Sequence, residues 1–335
     1  MATLDEFAEV AVATLKKSMK TPTSSIADVN TLLRKLKEKG NIKSSGGGTF
    51  ITEPTTLVEN STLKNYFGYE PGNIGASENL KEARFPKAQK MMHIAASGRE
   101  MRANSGDEKL FDFVDAKIEA ARQTASNRMN IELYGDGSVY QSILGLQTFV
   151  ANTSATTTAG GGVAAGTYGG IDSSVWTRWQ NKTYLVDRTA VTGANIAAGL
   201  DALKKLCTDG EDSPDMGVLT LDLFNLLEAD YRTKIRYDGL RMDPKAANVG
   251  VPSLYHAMIP MYWDINTTFG TTSQIGYLLD TKNIYLMEDP KAKWTFGKPE
   301  KPVGGDSVVI MGIWEGPFIS KKRRTQGRLG VQAAS

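Results

Sequence analysis

The sequence predicts an α+β fold, and three observations carry that reading. A turn-rich, β-leaning stretch fills residues 41–106, a single long amphipathic helix follows at 107–134, and residues 190–290 alternate helices with short strands. Strand-rich and helix-rich stretches that succeed one another in this way imply layers of sheet and helix around more than one core. At 335 residues the chain exceeds the usual size of one compact domain, so two lobes or long excursions are expected.

Residues 1–40 read as two helical pieces split by Thr21-Pro22-Thr23-Ser24-Ser25, and Gly40 stops the second after its basic last turn, Lys35 to Lys39. This arm has little to pack on by itself. Residues 41–106 carry Ser44-Ser45-Gly46-Gly47-Gly48, the β-leaning run Thr49 to Thr52 and a turn-rich centre at Tyr69 to Asn73, which together suggest a long two-armed β excursion. From Asp107 the apolar residues Leu110, Val114, Ile118, Ala121, Ala125, Met129 and Leu133 recur every three or four positions, as one helix face requires. Ser105 or Asp107 can cap its start, Gly135-Asp136-Gly137 ends it, and at 1.5 Å per residue it spans roughly 40 Å. Such length suits a spine joining distant parts of the subunit.

Ala151 to Gly170 is almost wholly Ala, Thr, Ser and Gly and is expected to be an exposed mobile loop. Beyond it come a helix at Asn195–Cys207, an acidic turn at Asp209–Asp215, a strand at Met216–Thr220, a helix at Leu221–Tyr231, and strands at Ala257–Asp264 and Ile275–Leu279. The tail returns to strand at Ser307–Ile313 and closes on Lys321-Lys322-Arg323-Arg324.

Composition excludes several classes. Hydrophobic residues make up 41% and charged residues 23%, near the averages for soluble globular proteins, and no apolar run approaches the roughly 20 residues that span a bilayer. Asp5, Glu6 and Glu9 stand where a secretory signal places positive charge, so a cytosolic product without membrane association is expected. A single cysteine, Cys207, leaves no disulfide framework and no multi-cysteine zinc site, and a buried core position is expected for it. A net charge of +2 leaves only local contacts with nucleic acid.

Several segments in order resemble the major capsid proteins of tailed bacteriophages. They are LLRKLKEKGNIKSSGGGTFITEPTTLVENSTLKNYFGYE, then EARFPKAQKMMHIAASGREMRANSGDEKLFDFVDAKIEAARQTASNRMNIELYGDG, then SILGLQTFV, GIDSSVWTRWQNKTY and LDALKKLCTDGEDSPDMGVLT, together covering roughly residues 25–330. The resemblance implies a Hong Kong 97-like fold: an N-terminal arm (1–44), an extended β-loop (45–106), a peripheral domain with the spine helix (107–185), an axial domain with a central sheet (186–290) and a return to the peripheral domain (291–335). It implies a structural subunit that assembles with itself into pentamers and hexamers of an icosahedral virion head around packaged double-stranded DNA, formed in the bacterial cytoplasm. Scaffolding, portal and decoration proteins are implied partners; catalytic residues, metals and cofactors are not. Only a short arm precedes residue 25, so a separate scaffold or the arm itself is expected to guide assembly.

A long β-arm with few apolar anchors gains little from ordering alone and becomes stable against a neighbour. Phe50, Tyr66, Phe67, Tyr69 and Phe85 are therefore candidate intersubunit contacts. Trp176, Arg178 and Trp179 invite a stacking site but are read as anchors of a domain junction. Lys321, Lys322, Arg323 and Arg324 could neutralise DNA, with an intersubunit salt-bridge strip the favoured alternative.

His93 and His256 are the only histidines, too few for a His-based triad or a multi-His metal site, and are read as surface or strand residues. Gly46-Gly47-Gly48 lacks the Lys-Ser/Thr of a phosphate loop and is read as a hinge. The acids Asp209, Glu211, Asp212 and Asp215 lack calcium-loop spacing and are read as a solvated turn. Lys64, Lys81, Lys87 and Lys90 could serve the lysine cross-linking of some relatives, but nothing marks any of them as reactive. Two other readings remain open: a tail-tube or decoration subunit, which the long helix disfavours, and an α/β enzyme with a pocket in 186–290, for which no Gly-x-Ser-x-Gly elbow is present.

Overall fold

A computed structural model describes residues 31–44, 46–70, 75, 79–103, 107–152, 160–164, 166–234, 254–264, 274–302 and 305–332, with the backbone alone for 101–116 and 233–234. The first expected helix, the Pro71-Gly72-Asn73 turn and the Ser105 cap lie outside these residues. In chain order the elements are α1 (Thr31–Glu38), β1 (Ile42–Ser44), β2 (Phe50–Thr56), β3 (Leu80–Pro86), β4 (Ala88–Ser97), α2 (Gly98–Ala103), α3 (Asp107–Leu133) and α4 (Leu146–Phe149). They continue with β5 (Gly160–Ala164), β6 (Thr167–Tyr168), β7 (Ile171–Asp172), β8 (Asn181–Val186), α5 (Gly193–Cys207), β9 (Met216–Leu219) and α6 (Leu221–Lys234). The last are β10 (Leu254–His256), β11 (Ile259–Trp263), β12 (Ile275–Leu279), β13 (Ile284–Glu288), β14 (Lys293–Phe296), β15 (Ser307–Gly316), β16 (Phe318–Ser320) and β17 (Gly327–Val331). They form two compact units, one closing with Gly47, Lys87–Gly145 and Tyr285–Phe318, the other Gly48–Pro86, Leu146–Ile284 and Ile319 onward.

In the first unit α1 ends as its sequence dictates: Gly40 adopts φ +71°, its N–H reaches Lys37 O at 3.0 Å, and Asn41 N–H reaches Leu36 O at 2.8 Å. The spine α3 runs over 27 residues. Ile118, Ala125, Met129 and Leu133 are buried along it, and so are Ser126 and Asn130, which the apolar pattern did not single out. Gly135 N–H closes the end on Glu132 O at 2.9 Å, and Gly137 takes φ +73°. The backbone at Gly145 then comes so close that a Cβ there would stand 2.3 Å from Glu132 O, which only glycine permits. β14, β15 and β4 form an antiparallel sheet in that order, with β15 and β4 paired from Ser307↔Ser97 to Gly316↔Ala88.

The expected second arm strand is therefore divided. β3 stops at Pro86, whose missing N–H cannot continue a ladder, and the chain re-enters a different sheet at Ala88. Lys87 pins the switch: its ammonium, 2% exposed, donates to Asp289 Oδ2 at 2.8 Å and to Gly46 O at 3.1 Å, with Glu315 at 3.8 Å. That hydrogen bond holds the Asp289 carboxyl below its ordinary range.

The second unit is built on a seven-stranded mixed sheet of order β10-β11-β9-β12-β17-β8-β5. β9 and β12 are buried along their whole length, matching their continuous apolar runs, and α5 and α6 supply Ile196, Leu200, Leu203, Leu223, Phe224 and Leu227 to the same core. Thr192 caps α5, its hydroxyl accepting from Asn195 N–H at 3.3 Å. Cys207 closes α5 fully buried, and burial pushes its thiol up to about 12.

The segment 151–170 departs from the expected mobile loop. Residues 153–159 lie outside the described ones, but β5 pairs antiparallel with β8, and its Gly161 allows close approach of Leu206, which a Cβ would meet at 2.7 Å. Low side-chain volume here serves packing.

Candidate assembly surface

β2 and β3 pair antiparallel from Phe50↔Pro86 to Thr56↔Leu80. Period-2 alternation turns Ile51, Glu53 and Thr55 inward with Lys81, Ala83 and Phe85, and leaves Phe50 and Leu80 outward. Phe85 is 1% exposed, so it is not a free intersubunit contact, contrary to expectation. It packs on Tyr168, ring centroids 5.0 Å apart, because its register places it opposite Ile51 on the covered face. Tyr168 also meets Phe149 at 5.6 Å and Trp179 at 5.9 Å.

Polar bonds lock this cluster. Trp179 Nε1–H donates to Tyr168 O at 3.0 Å, and Ser320 N–H donates to Tyr168 Oη at 2.9 Å. Arg323 lies 1% exposed, its guanidinium 5.4 Å from the Tyr168 ring centroid, donating to Phe149 O at 2.9 Å, Gly166 O at 3.3 Å and Asn181 Oδ1 at 3.1 Å. Burial pulls Arg323 down to about 10, so it stays charged at neutral pH. Arg323 thus leaves the expected strip of DNA or intersubunit charge contacts, since three carbonyl acceptors inside its own unit claim it.

The neighbours of Arg323 are also paired within the unit. Lys321 meets Glu53 at 2.7 Å, Lys322 meets Asp212 at 2.8 Å and Asp209 at 3.1 Å, and Arg324 approaches Asp209 at 3.5 Å. The acidic turn is therefore not merely solvated: Asp209 and Asp212 receive the basic run, and Asp215 accepts from Thr281 N–H at 2.9 Å and its hydroxyl at 2.7 Å. Of the expected tryptophan anchors, Trp179 sits in the core, Trp176 carries Lys81 Nζ 5.4 Å from its ring centroid, and Arg178 pairs with Glu59 at the outer end of the hairpin.

Beyond this root the hairpin presents apolar side chains to solvent. Phe67 and Tyr69 are almost wholly exposed and Tyr66 largely so, and Leu63 and Leu80 join them, two residues that aromatic content alone did not flag; Phe50, more than half exposed, lies at the root end, opposite Pro86. Lys64 pairs with Glu70 at 3.6 Å on the same tip. Elsewhere His93 is exposed on β4 beside a cavity of about 260 Å³ lined with Lys298, Glu300 and Lys301. His256 is buried on β10 between Tyr231 and Asp201, the latter at 2.9 Å. Among the described residues no group of three or more His, Cys, Asp or Glu side chains is arranged to hold a metal.

No family model and no curated protein matches the sequence. Solved structures do match, and over nearly the whole chain. The capsid asymmetric unit of cyanophage A-1(L) aligns with TM-score 0.58 at 12% identity, covering 90% of this chain and 93% of that one. The capsid of Myoviridae phage XM1 aligns with TM-score 0.54 at 10% identity, covering 88% and 91%. The chain has the tailed-phage capsid fold. Its mixture of helices and sheets is consistent with the Hong Kong 97-like architecture that the sequence resemblance implies. The holo-SrpI encapsulin complex from Synechococcus elongatus PCC 7942 is also similar, with TM-score 0.54 at 9% identity over 88% of this chain and 86% of that one. In the capsid fold seen here, the exposed tip and the locked root belong to a single hairpin.

Proposed function

We propose that the chain is the major shell subunit of a tailed-phage head, assembling with itself into pentamers and hexamers of an icosahedral capsid in the bacterial cytoplasm and enclosing double-stranded DNA. The carrying observation is a capsid fold over about nine-tenths of the chain, joined to a hairpin whose outer aromatics are uncovered within the subunit. An apolar group of Leu63, Tyr66, Phe67 and Tyr69 is costly in water and gains by burial against another copy.

In this reading residues 45–106 are the extended loop, 107–185 and 291–335 the peripheral domain, and 186–290 the axial domain. The role is structural and not enzymatic. Scaffolding, portal and decoration proteins are partners of the head at other surfaces. Among the described residues the basic run at 321–324 is largely paired with its own unit's carboxylates, which leaves it little charge for a continuous strip facing the DNA.

Negative-stain microscopy with light scattering on the purified chain tests this. Closed particles, or rings of five and six, are the expected result, and a monomer or small dimer at high concentration refutes it. Because an encapsulin shares the fold, nucleic acid extracted from particles made in infected cells decides what the shell encloses.

A further inference from the structure

We propose that the second unit carries a binding site for a single phosphate group, in a recess between the outer end of β2 and the basic run. The recess has a volume of about 50 Å³ and is lined by Thr55, Arg178, Asp209, Lys321, Lys322 and Arg324. Since a water needs roughly 10–15 Å³ by this measure, there is room for about three to five waters or one compact oxyanion.

Thr55 Oγ1 is buried without a hydrogen-bond partner, and Arg324 Nε makes no hydrogen bond either, its ion-pair partner Asp209 Oδ1 standing 3.5 Å away. Such atoms are nearly always bonded, and leaving one unmade is costly. Their missing partner has to accept: Arg324 Nε–H can only donate, and the Thr55 hydroxyl is able to. Two guanidiniums, two ammoniums and the hydroxyl face one lining carboxylate, Asp209, which is already shared between Lys322 at 3.1 Å and Arg324 at 3.5 Å. Burial raises the Asp209 carboxyl, but Lys322, Arg324 and Arg178 together hold it below its ordinary value.

Glu53, Glu59 and Asp212, with Asp209, balance the four cations in formal charge. What the recess has in excess is donor capacity, and a tetrahedral anion offers four acceptor oxygens in the space of one group. Inorganic phosphate and a nucleic-acid backbone phosphate share this chemistry.

Titration of the full-length chain with sodium phosphate, against chloride at matched ionic strength, reads the site by calorimetry. A saturable one-site isotherm is expected, weakened about tenfold or more by Thr55→Val and by Arg324→Lys, as the loss of a charge-assisted hydrogen bond predicts. Asp209→Asn removes the competing carboxylate and tightens binding. No saturable heat beyond the chloride background, or an isotherm unchanged in both Thr55→Val and Arg324→Lys, overturns the proposal. A short DNA duplex separates the sources: displacement of phosphate by the duplex assigns the recess to a backbone phosphate, and an unaltered isotherm in its presence assigns it to the free ion.

Discussion

The root and the tip of the β2–β3 hairpin use the same residue types to opposite ends. At the root, Phe85 joins Tyr168, Phe149 and Trp179, with Arg323 as a buried donor whose three nitrogens each hold an acceptor. At the tip, Tyr66, Phe67 and Tyr69 have no such shell among the described residues and lie open to solvent. Aromatic content therefore does not mark an interface by itself; the face of the strand and the presence of a covering element decide between core and contact.

The largest expected effect breaks the root. Arg323→Ala strands three carbonyl acceptors and opens a void, and should lower stability by about 3–5 kcal/mol, read by chemical denaturation of the unassembled subunit. Phe85→Ala should cost about 3–5 kcal/mol by emptying the packed ring site, and it should raise proteolysis of 48–86 ahead of the rest of the unit. If either variant unfolds like the wild type, the root is not the anchor described.

Smaller effects sharpen the boundary between the regions. Lys321→Gln removes a partly exposed pair with Glu53 and should cost no more than about 1 kcal/mol, less at high salt. The Asp209–Lys322 contact carries a sign with pH. Asp209 is held below its ordinary 3.8 although burial alone would raise it, so its contribution is present above that value and is lost as pH falls through the lower folded value. Lys322 is held above 10.5 against the cost of burial, so its contribution is lost as pH rises through the folded value. Asp209→Asn should flatten the acid limb of a stability-against-pH profile.

The smallest effect on stability belongs to the tip. Tyr66→Ser with Phe67→Ser should change subunit stability by less than about 0.5 kcal/mol while abolishing particles in the microscope. Unimpaired assembly would remove the tip from the contact surface.

Much of the architecture was legible in advance because it is written locally. The spine was expected at 107–134 and stands at Asp107–Leu133, while Ile275–Leu279 and the start of β15 at Ser307 fall where the apolar runs put them. Of the candidate contact residues, Phe50, Tyr66, Phe67 and Tyr69 are exposed and Phe85 is not. Strand alternation across from Ile51 could have signalled that, whereas nothing local announced that Tyr168, inside a Gly- and Ala-rich stretch, is the hub of the cluster.

By itself the sequence determined the long helices, their stops and the strands β2, β9, β11, β12 and β15, since periodicity, caps and glycine turns act over a few residues. Only the tertiary structure decided which charges are spent and which rings are covered. Lys322 finds Asp212 across 110 residues of chain and Arg323 finds Phe149 across 174, and no short-range pattern encodes a partner that the fold alone brings within bonding distance.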